Sequence, residues 1–189
     1  ELTDITSKIY NRNPSGPFTT STLQQSSSSK LGFGASRTMQ IAQRLYQGID
    51  IEGETIGLIT YMRTDGTNIS NEAISVFRNY IERNYGKNYL PDQALNYSGK
   101  KAKNAQEAHE AIRPTDIERN PESLKKYLST DQFKLYNLIW SRALSSQMES
   151  AKFDRKTITI VSEDDMHHFK CSGSTVKFDG FLKLTRVDD

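Results

Sequence analysis

The chain has 189 residues, 35% of them hydrophobic and 25% charged, which suits one ordinary globular domain or one domain with part of another. Its 25 Lys and Arg stand against 23 Asp and Glu, so the net charge of +2 argues neither for nor against a nucleic-acid partner. The single cysteine, Cys171, excludes an internal disulfide and a multi-cysteine zinc site and is expected to be a buried or incidental thiol. No apolar run reaches the length of a membrane span, and no secretory signal opens the chain. The abrupt start at Glu1-Leu2-Thr3, without methionine, reads as an excised piece of a longer protein.

In chain order, Leu2–Tyr10 alternates loosely and is predicted to be a strand, broken by the Pro- and Gly-bearing segment Asn11–Pro17. Ser21 and Gln24 have capping-box spacing, predicting a helix from about Thr22, although the serines Ser26–Ser29 are poor helix formers. A second helix is predicted over Ser36–Gln47. It would carry Met39, Ala42, Leu45 and Tyr46 on one face and end in a left-handed cap at Gly48, with Arg37 and Arg44 as solvated side chains. Gly57–Tyr61 is apolar and Thr-rich, as a short buried strand would be, and Thr64–Ser70 is a small polar loop ending in a helix N-cap at Ser70. The following helix, with Ile74, Phe77 and Ile81 as its stripe, runs to about Tyr85 and Gly86.

Lys87–Lys103 reads as a loop, and Gln106–Ile112 as a stretch that could be helical, closed by Pro114. Asn120-Pro121 starts a short helix over Glu122–Tyr127. The clearest helix is Asp131–Met148, capped by Ser129 with Gln132, whose stripe Phe133, Tyr136, Trp140, Ala143 and Leu144 is core rather than a base-stacking platform. Beyond Lys152 the period changes to two, predicting strands at Lys156–Val161, Met166–Ser172 and Thr175–Leu184. The chain is therefore α+β: a mostly helical body flanked at both ends by short β segments, which would make the body an excursion from a small β unit if the flanks pair.

Tyr61 and Arg63 stand where the predicted strand gives way to the loop. In extended backbone, residues two apart point to one side, about 6.6 Å apart. A phenol and a guanidinium so placed can address one phosphate, as nucleophile and as bidentate clamp. On spacing alone the same pair also fits a buried tyrosine beside a surface arginine.

The wording of that segment, GLITYMRTDGTNIS at 57–70, closely resembles the active-site segment of the type IA DNA topoisomerases, on their bacterial topoisomerase I branch. PFTTSTLQQ (Pro17–Gln25), KLGFGASRTMQIAQRLYQG (Lys30–Gly48) and QEAHEAIRPTD (Gln106–Asp116) match the same family in the same order. The resemblance covers roughly Pro17 to Lys152. A topoisomerase III-like or reverse-gyrase-like enzyme, or a non-catalytic single-strand DNA-binding module of the same fold, is the alternative. The family's architecture implies a division into 1–17 (β flank of an arch domain), 18–150 (helical domain with the tyrosine) and 151–189 (β flank).

The resemblance implies relaxation of negatively supercoiled DNA without ATP. Tyr61 would attack a phosphodiester of single-stranded DNA and become linked to the 5′ phosphate, leaving a 3′ hydroxyl, and the reaction would reverse after strand passage. A tyrosine with an ordinary pKa near 10 must lose its proton in that attack, so cationic neighbours lower the barrier. Arg63 is the expected clamp, and His109 matches the family's active-site histidine, able to bond the phosphate or to move a proton. Thr60, Asp65, Thr67 and Arg113 are expected DNA contacts or orienting groups, with an ion pair to Glu110 or Asp116 as the other reading of Arg113. The family often has serine where Gly66 stands. Its Mg²⁺ is held by clustered carboxylates in an N-terminal Toprim domain, a pattern that Asp164-Asp165 and Asp188-Asp189 lack. No metal is therefore expected within these residues, His167-His168 included, and this piece alone is expected not to cleave DNA. The implied partners are single-stranded DNA and the remaining domains of the same polypeptide, with no membrane. The implied location is bacterial cytoplasm, at the nucleoid.

Overall fold

The structure, a computed structural model, describes residues 2–97, 110–162 and 166–185. Its frame is a three-stranded antiparallel sheet of β1 (Leu2–Arg12), β4 (Ala151–Val161) and β5 (His168–Phe178), in the order β1-β4-β5. Arg12 lies opposite Ala151 and Asp4 opposite Thr159, so the two ends of the chain pair along most of their length. Everything between Arg12 and Ala151 leaves this sheet and returns to it. Ser7 Oγ donates to Asp154 Oδ1, and Tyr10 stacks on Phe153 at 5.2 Å between ring centroids, which hold the pairing through side chains. The two strands predicted beyond Met166 are one: β5 runs unbroken through Gly173 to Phe178, and the residues from Leu182 form a short helix, α6 (Leu182–Thr185), instead of strand.

The helical body comprises α1 (Thr20–Leu31), α2 (Ala35–Gln47), α3 (Asn71–Tyr85), α4 (Pro121–Leu124) and α5 (Thr130–Ser145). α5 is the central element. It buries Leu135, Tyr136, Ile139, Trp140, Ala143 and Leu144, while Phe133 is only half-buried. Its two buried aromatics keep their polar atoms satisfied: Trp140 Nε1 donates to the Ile117 carbonyl at 3.0 Å and the Tyr136 hydroxyl to that of Arg119 at 2.7 Å. The Ser129–Gln132 box caps α5, and Ser70 caps α3 by accepting from the Ala73 amide.

α1 departs from expectation at its start. Its N-cap is Thr19, boxed with Thr22, rather than Ser21 with Gln24. Thr20 is thereby brought to the first turn, where it grips a segment more than forty residues away, and that tertiary contact sets the start. The serine run stays helical because Leu23 and Ser27 are buried in the body and Gly32 closes the helix at φ 68°. α2 buries Thr38, Ile41, Ala42 and Leu45, whereas Tyr46, expected on the core face, is 41% exposed. Gly48 ends α2 at φ 128°, ψ 149°, not in the left-handed helical region. A Cβ there would lie 2.4 Å from Thr55 Cγ2. That contact comes from a hairpin absent from the sequence reading, β2 (Ile49–Ile51) and β3 (Glu54–Ile56), turned through Glu52 and Gly53.

The segment 57–61 is not part of a sheet. It makes one bridge, Ile59 to Pro114, and Ile112 bridges Phe18. Of the stretch 106–112, residues 106–109 lie outside the described residues, and 110–112 are paired rather than helical, because the Ala111 amide donates to the Asn68 carbonyl and the Ile112 amide to that of Phe18. Residues 87–89 form one 3₁₀ turn within the expected loop. Cys171 is exposed, which excludes a buried role.

Candidate active site

Tyr61 and Arg63 are exposed, while Met62 and Thr64 between and after them are buried. This alternation puts the phenol and the guanidinium on the solvent side of one short segment. The backbone beneath them is clasped by α1. Thr20 Oγ1 donates to the Met62 carbonyl at 2.7 Å and accepts from the Thr64 amide at 2.9 Å, and the Thr20 amide donates to the Thr64 carbonyl at 2.9 Å. Thr64 Oγ1 then accepts from the Gly66 amide at 3.0 Å.

Upstream, the segment is tied to α2. The Leu58 amide donates to the Leu45 carbonyl at 2.8 Å, and a Cβ on Gly57 would lie 2.7 Å from the Tyr46 carbonyl oxygen, so only glycine allows this approach. Tyr46 meets Tyr61 edge to face, with centroids 5.4 Å apart and planes at 63°. Sequence reasoning placed Tyr46 in the core; fifteen residues separate it from Tyr61, and no local pattern connects them.

Downstream, the segment is stitched to 110–115. Thr60 Oγ1 donates to the Ala111 carbonyl at 2.7 Å and accepts from the Arg113 amide at 3.0 Å, while the Thr60 amide donates to the Arg113 carbonyl at 2.9 Å. Arg113 holds Glu110 with Nε and Nη2, at 3.3 and 2.8 Å, and its side chain is 14% exposed. The ion pair with Glu110, one of the two readings of Arg113, is formed. Glu110 Oε1 also accepts from the Ser70 amide at 2.8 Å. Burial pushes the Glu110 pKa up, but the Ser70 and Arg113 hydrogen bonds and the Arg113 charge together outweigh it. The net shift is downward. Thr67 Oγ1 donates to the Tyr97 carbonyl at 2.9 Å. Asp65 is exposed. His109 lies outside the described residues.

Thr60, Thr67 and Arg113 therefore have their polar groups engaged within the protein. Arg63 instead opens on a groove of about 930 Å³, lined also by Arg37 and Arg44 of α2 and by Asp131. Arg37 pairs with Asp131 and lies over the Phe33 ring at 4.6 Å, whereas Arg44, expected to be simply solvated, faces the same groove as Arg63. Among the described residues no group of three His, Cys, Asp or Glu side chains could hold a metal ion. No described helix is long and apolar enough to cross a membrane.

The family model for DNA topoisomerase matches residues 1–189. The chain belongs to the bacterial, type IA DNA topoisomerase I family. It is 54% identical over 187 residues to the DNA topoisomerase 1 of Rickettsia felis, matching 98% of this chain and 24% of that protein. It is 51% identical over 173 residues to the Helicobacter pylori DNA topoisomerase 1, with 92% and 23% covered. The structure of full-length topoisomerase I from Thermotoga maritima superposes with a TM-score of 0.86 at 38% identity, covering all of this chain and 30% of that one. The chain thus spans about a quarter of the length of its curated topoisomerase relatives.

Proposed function

We propose that Tyr61 is the nucleophile of a type IA topoisomerase that relaxes negatively supercoiled DNA, and that Arg63 is its phosphate clamp. One observation carries this reading: Tyr61 and Arg63 face solvent together from a backbone fixed on both sides by the half-buried threonines Thr20 and Thr60. In the reaction, Tyr61 Oη forms a bond to phosphorus while the bond from phosphorus to the leaving 3′ oxygen breaks. The phenolic proton departs and the 3′ oxygen gains one. Strand passage and the reverse attack regenerate the phenol, so the phosphodiester energy is kept in the linkage and ATP is not required. A guanidinium at the developing charge is worth a few kcal/mol per well-placed donor, by roughly the magnitude of other oxyanion donors.

His109 is assigned to the same phosphate, as bond donor or proton carrier, by its place in the Ala108-His109-Glu110-Ala111-Ile112-Arg113 motif. Thr60 and Arg113 act through the backbone they brace; Asp65 and Thr67 lie on the loop next to the bound strand. Arg44 joins Arg63 in drawing single-stranded DNA to the groove. The residues described do not fit a Mg²⁺ site, and we place the metal in the remaining domains of the polypeptide, in a bacterial cytoplasm, with no step here routed through it. Residues 18–150 are taken as the unit bearing Tyr61 and residues 1–17 and 151–189 as arch, a division supported by the pairing of β1 with β4.

The test is covalent trapping. Labelled single-stranded oligonucleotide and Mg²⁺ are incubated with this chain, with and without the separately made N-terminal part of the parent, then denatured and mapped by mass spectrometry. An adduct on Tyr61 only in the mixture, lost in Tyr61→Phe, is expected. If the full-length parent forms no adduct either, the chain is a single-strand DNA-binding module and the nucleophile assignment fails.

A further inference from the structure

A second groove, of about 590 Å³, lies where α1 and α5 meet the entry from β1, and it shares no lining residue with the groove at Arg63. Among the described residues its charged lining is all basic: Arg12, Lys30 and Arg142. Ser26 and Ser29 of α1 and Ser141 of α5 stand among them, so the serine run that is unfavourable for a helix supplies hydroxyls to this groove.

Arg142 is the unusual member. It is half-buried, its guanidinium lies over the Phe18 ring at 4.6 Å, and its Nε is buried without a hydrogen-bond partner among the described residues. Burial lowers its pKa, with the nearby Tyr97 acting in the other direction. Among the described residues no carboxylate forms an ion pair with Arg142, Arg12 or Lys30, although arginines elsewhere on the chain, Arg37, Arg83, Arg113 and Arg119, have one. Leaving a partly desolvated guanidinium without a counter-charge is costly, and an anion with several acceptor oxygens at the part of Arg142 that lines the groove relieves that cost. A planar fork flanked by hydroxyls and two further cations suits a phosphate group better than a single carboxylate, since a phosphate can accept from several directions at once.

We propose that this groove is a phosphate-binding site, with Arg142 as its buried anchor and Arg12 and Lys30 at its rim. The proposal is independent of the role of Tyr61. The phosphate belongs either to a phosphodiester of a nucleic-acid strand running away from the Tyr61 segment or to a free phosphate ion.

The experiment is an NMR titration of the 189-residue chain at constant ionic strength, following the Arg142 Nε–H resonance and the amides of Ser26–Lys30. The probes are inorganic phosphate and, separately, oligothymidine without terminal phosphates, with chloride as control. Saturable shifts at Arg142 and Ser26–Lys30 are expected with one probe or both, and not with chloride. If oligothymidine acts where phosphate does not, the source is a strand; the reverse identifies a free ion. Arg142→Gln should abolish the shifts at Ser26–Lys30. Because that substitution could disturb packing on Phe18, the exposed pair Arg12→Gln with Lys30→Gln is the second variant. It should weaken binding roughly fivefold, the size expected for two exposed charge contacts, while Arg63→Gln leaves the shifts caused by inorganic phosphate unchanged. Absence of saturable shifts with both probes, or equal binding by the Arg12→Gln/Lys30→Gln chain, overturns the proposal.

Discussion

Replacing Thr60 by valine tests whether the residue before Tyr61 is a brace or a DNA contact. Its Oγ1 serves the Ala111 carbonyl and the Arg113 amide at 2.7 and 3.0 Å, and Ala111 is fully buried. Valine keeps the volume but leaves both backbone groups without that partner. A buried unsatisfied group costs about 1–3 kcal/mol; with one of the two groups only half-buried, the sum should fall at about 2–4 kcal/mol. For a chain of this size each kcal/mol lowers the melting midpoint by about 2–4 °C, so the expected drop is about 4–16 °C. Thr60→Ser keeps the hydroxyl and should recover most of the loss. Thermal melting and urea titration, both followed by Trp140 fluorescence, measure all three chains under identical conditions. An unchanged midpoint and slope for Thr60→Val, with weakened oligonucleotide binding alone, would refute the brace and restore the direct contact.

Three further outcomes can be checked. Tyr46→Ala in the full-length parent should slow formation of the Tyr61 adduct roughly three- to tenfold, the range of an edge-to-face aromatic pair. Tyr46→Phe should restore the rate; equal rates in all three would show that the ring contact does not position the nucleophile. Glu110 has a folded pKa below its unfolded value, so its contribution to stability is present above pH about 4.3 and disappears as pH falls through the lower folded pKa. Glu110→Gln should accordingly be less stable than the parent chain at pH 7, with the two converging toward pH 3 in urea midpoints, and an undiminished gap at pH 3 would contradict this. Ser27 is buried with a hydroxyl that has no partner among the described residues. Ser27→Ala should therefore leave stability unchanged or raise it by up to about 1 kcal/mol by removing that hydroxyl and improving helix propensity, and a clear loss of thermal midpoint would count against it.

Features set by neighbours in sequence were readable before the structure. Ser70 and the Ser129–Gln132 box cap their helices as expected, since both ends of each bond lie within three residues. The pairing of Tyr61 with Arg63 followed from a period of two. What could not be read depends on distant partners. The start of α1 is fixed by a bond from Thr20 to Met62, the exposure of Tyr46 goes with its packing on Tyr61, and the extended course of 110–114 is set by its bridges to Phe18, Ile59 and Asn68. The break predicted within β5 failed for a similar reason: Gly173, opposite Lys156, is held in strand by the pairing with β4.

The β1-β4-β5 sheet also has a mechanical meaning. The first residue of β1, Leu2, faces Ile160, which faces Phe169 at the start of β5, whereas Phe178 at the end of β5 lies opposite Lys152, the partner of Asn11. Tension applied between Leu2 and Phe178 therefore pulls along the strands from opposite ends, loading the interstrand bonds in shear and together rather than one after another. The helical body, spliced between the end of β1 and the start of β4, hangs outside that line of force. A pull on the frame could be borne by the sheet while the Tyr61 segment, its clasp from Thr20 and its brace from Thr60 carry no load.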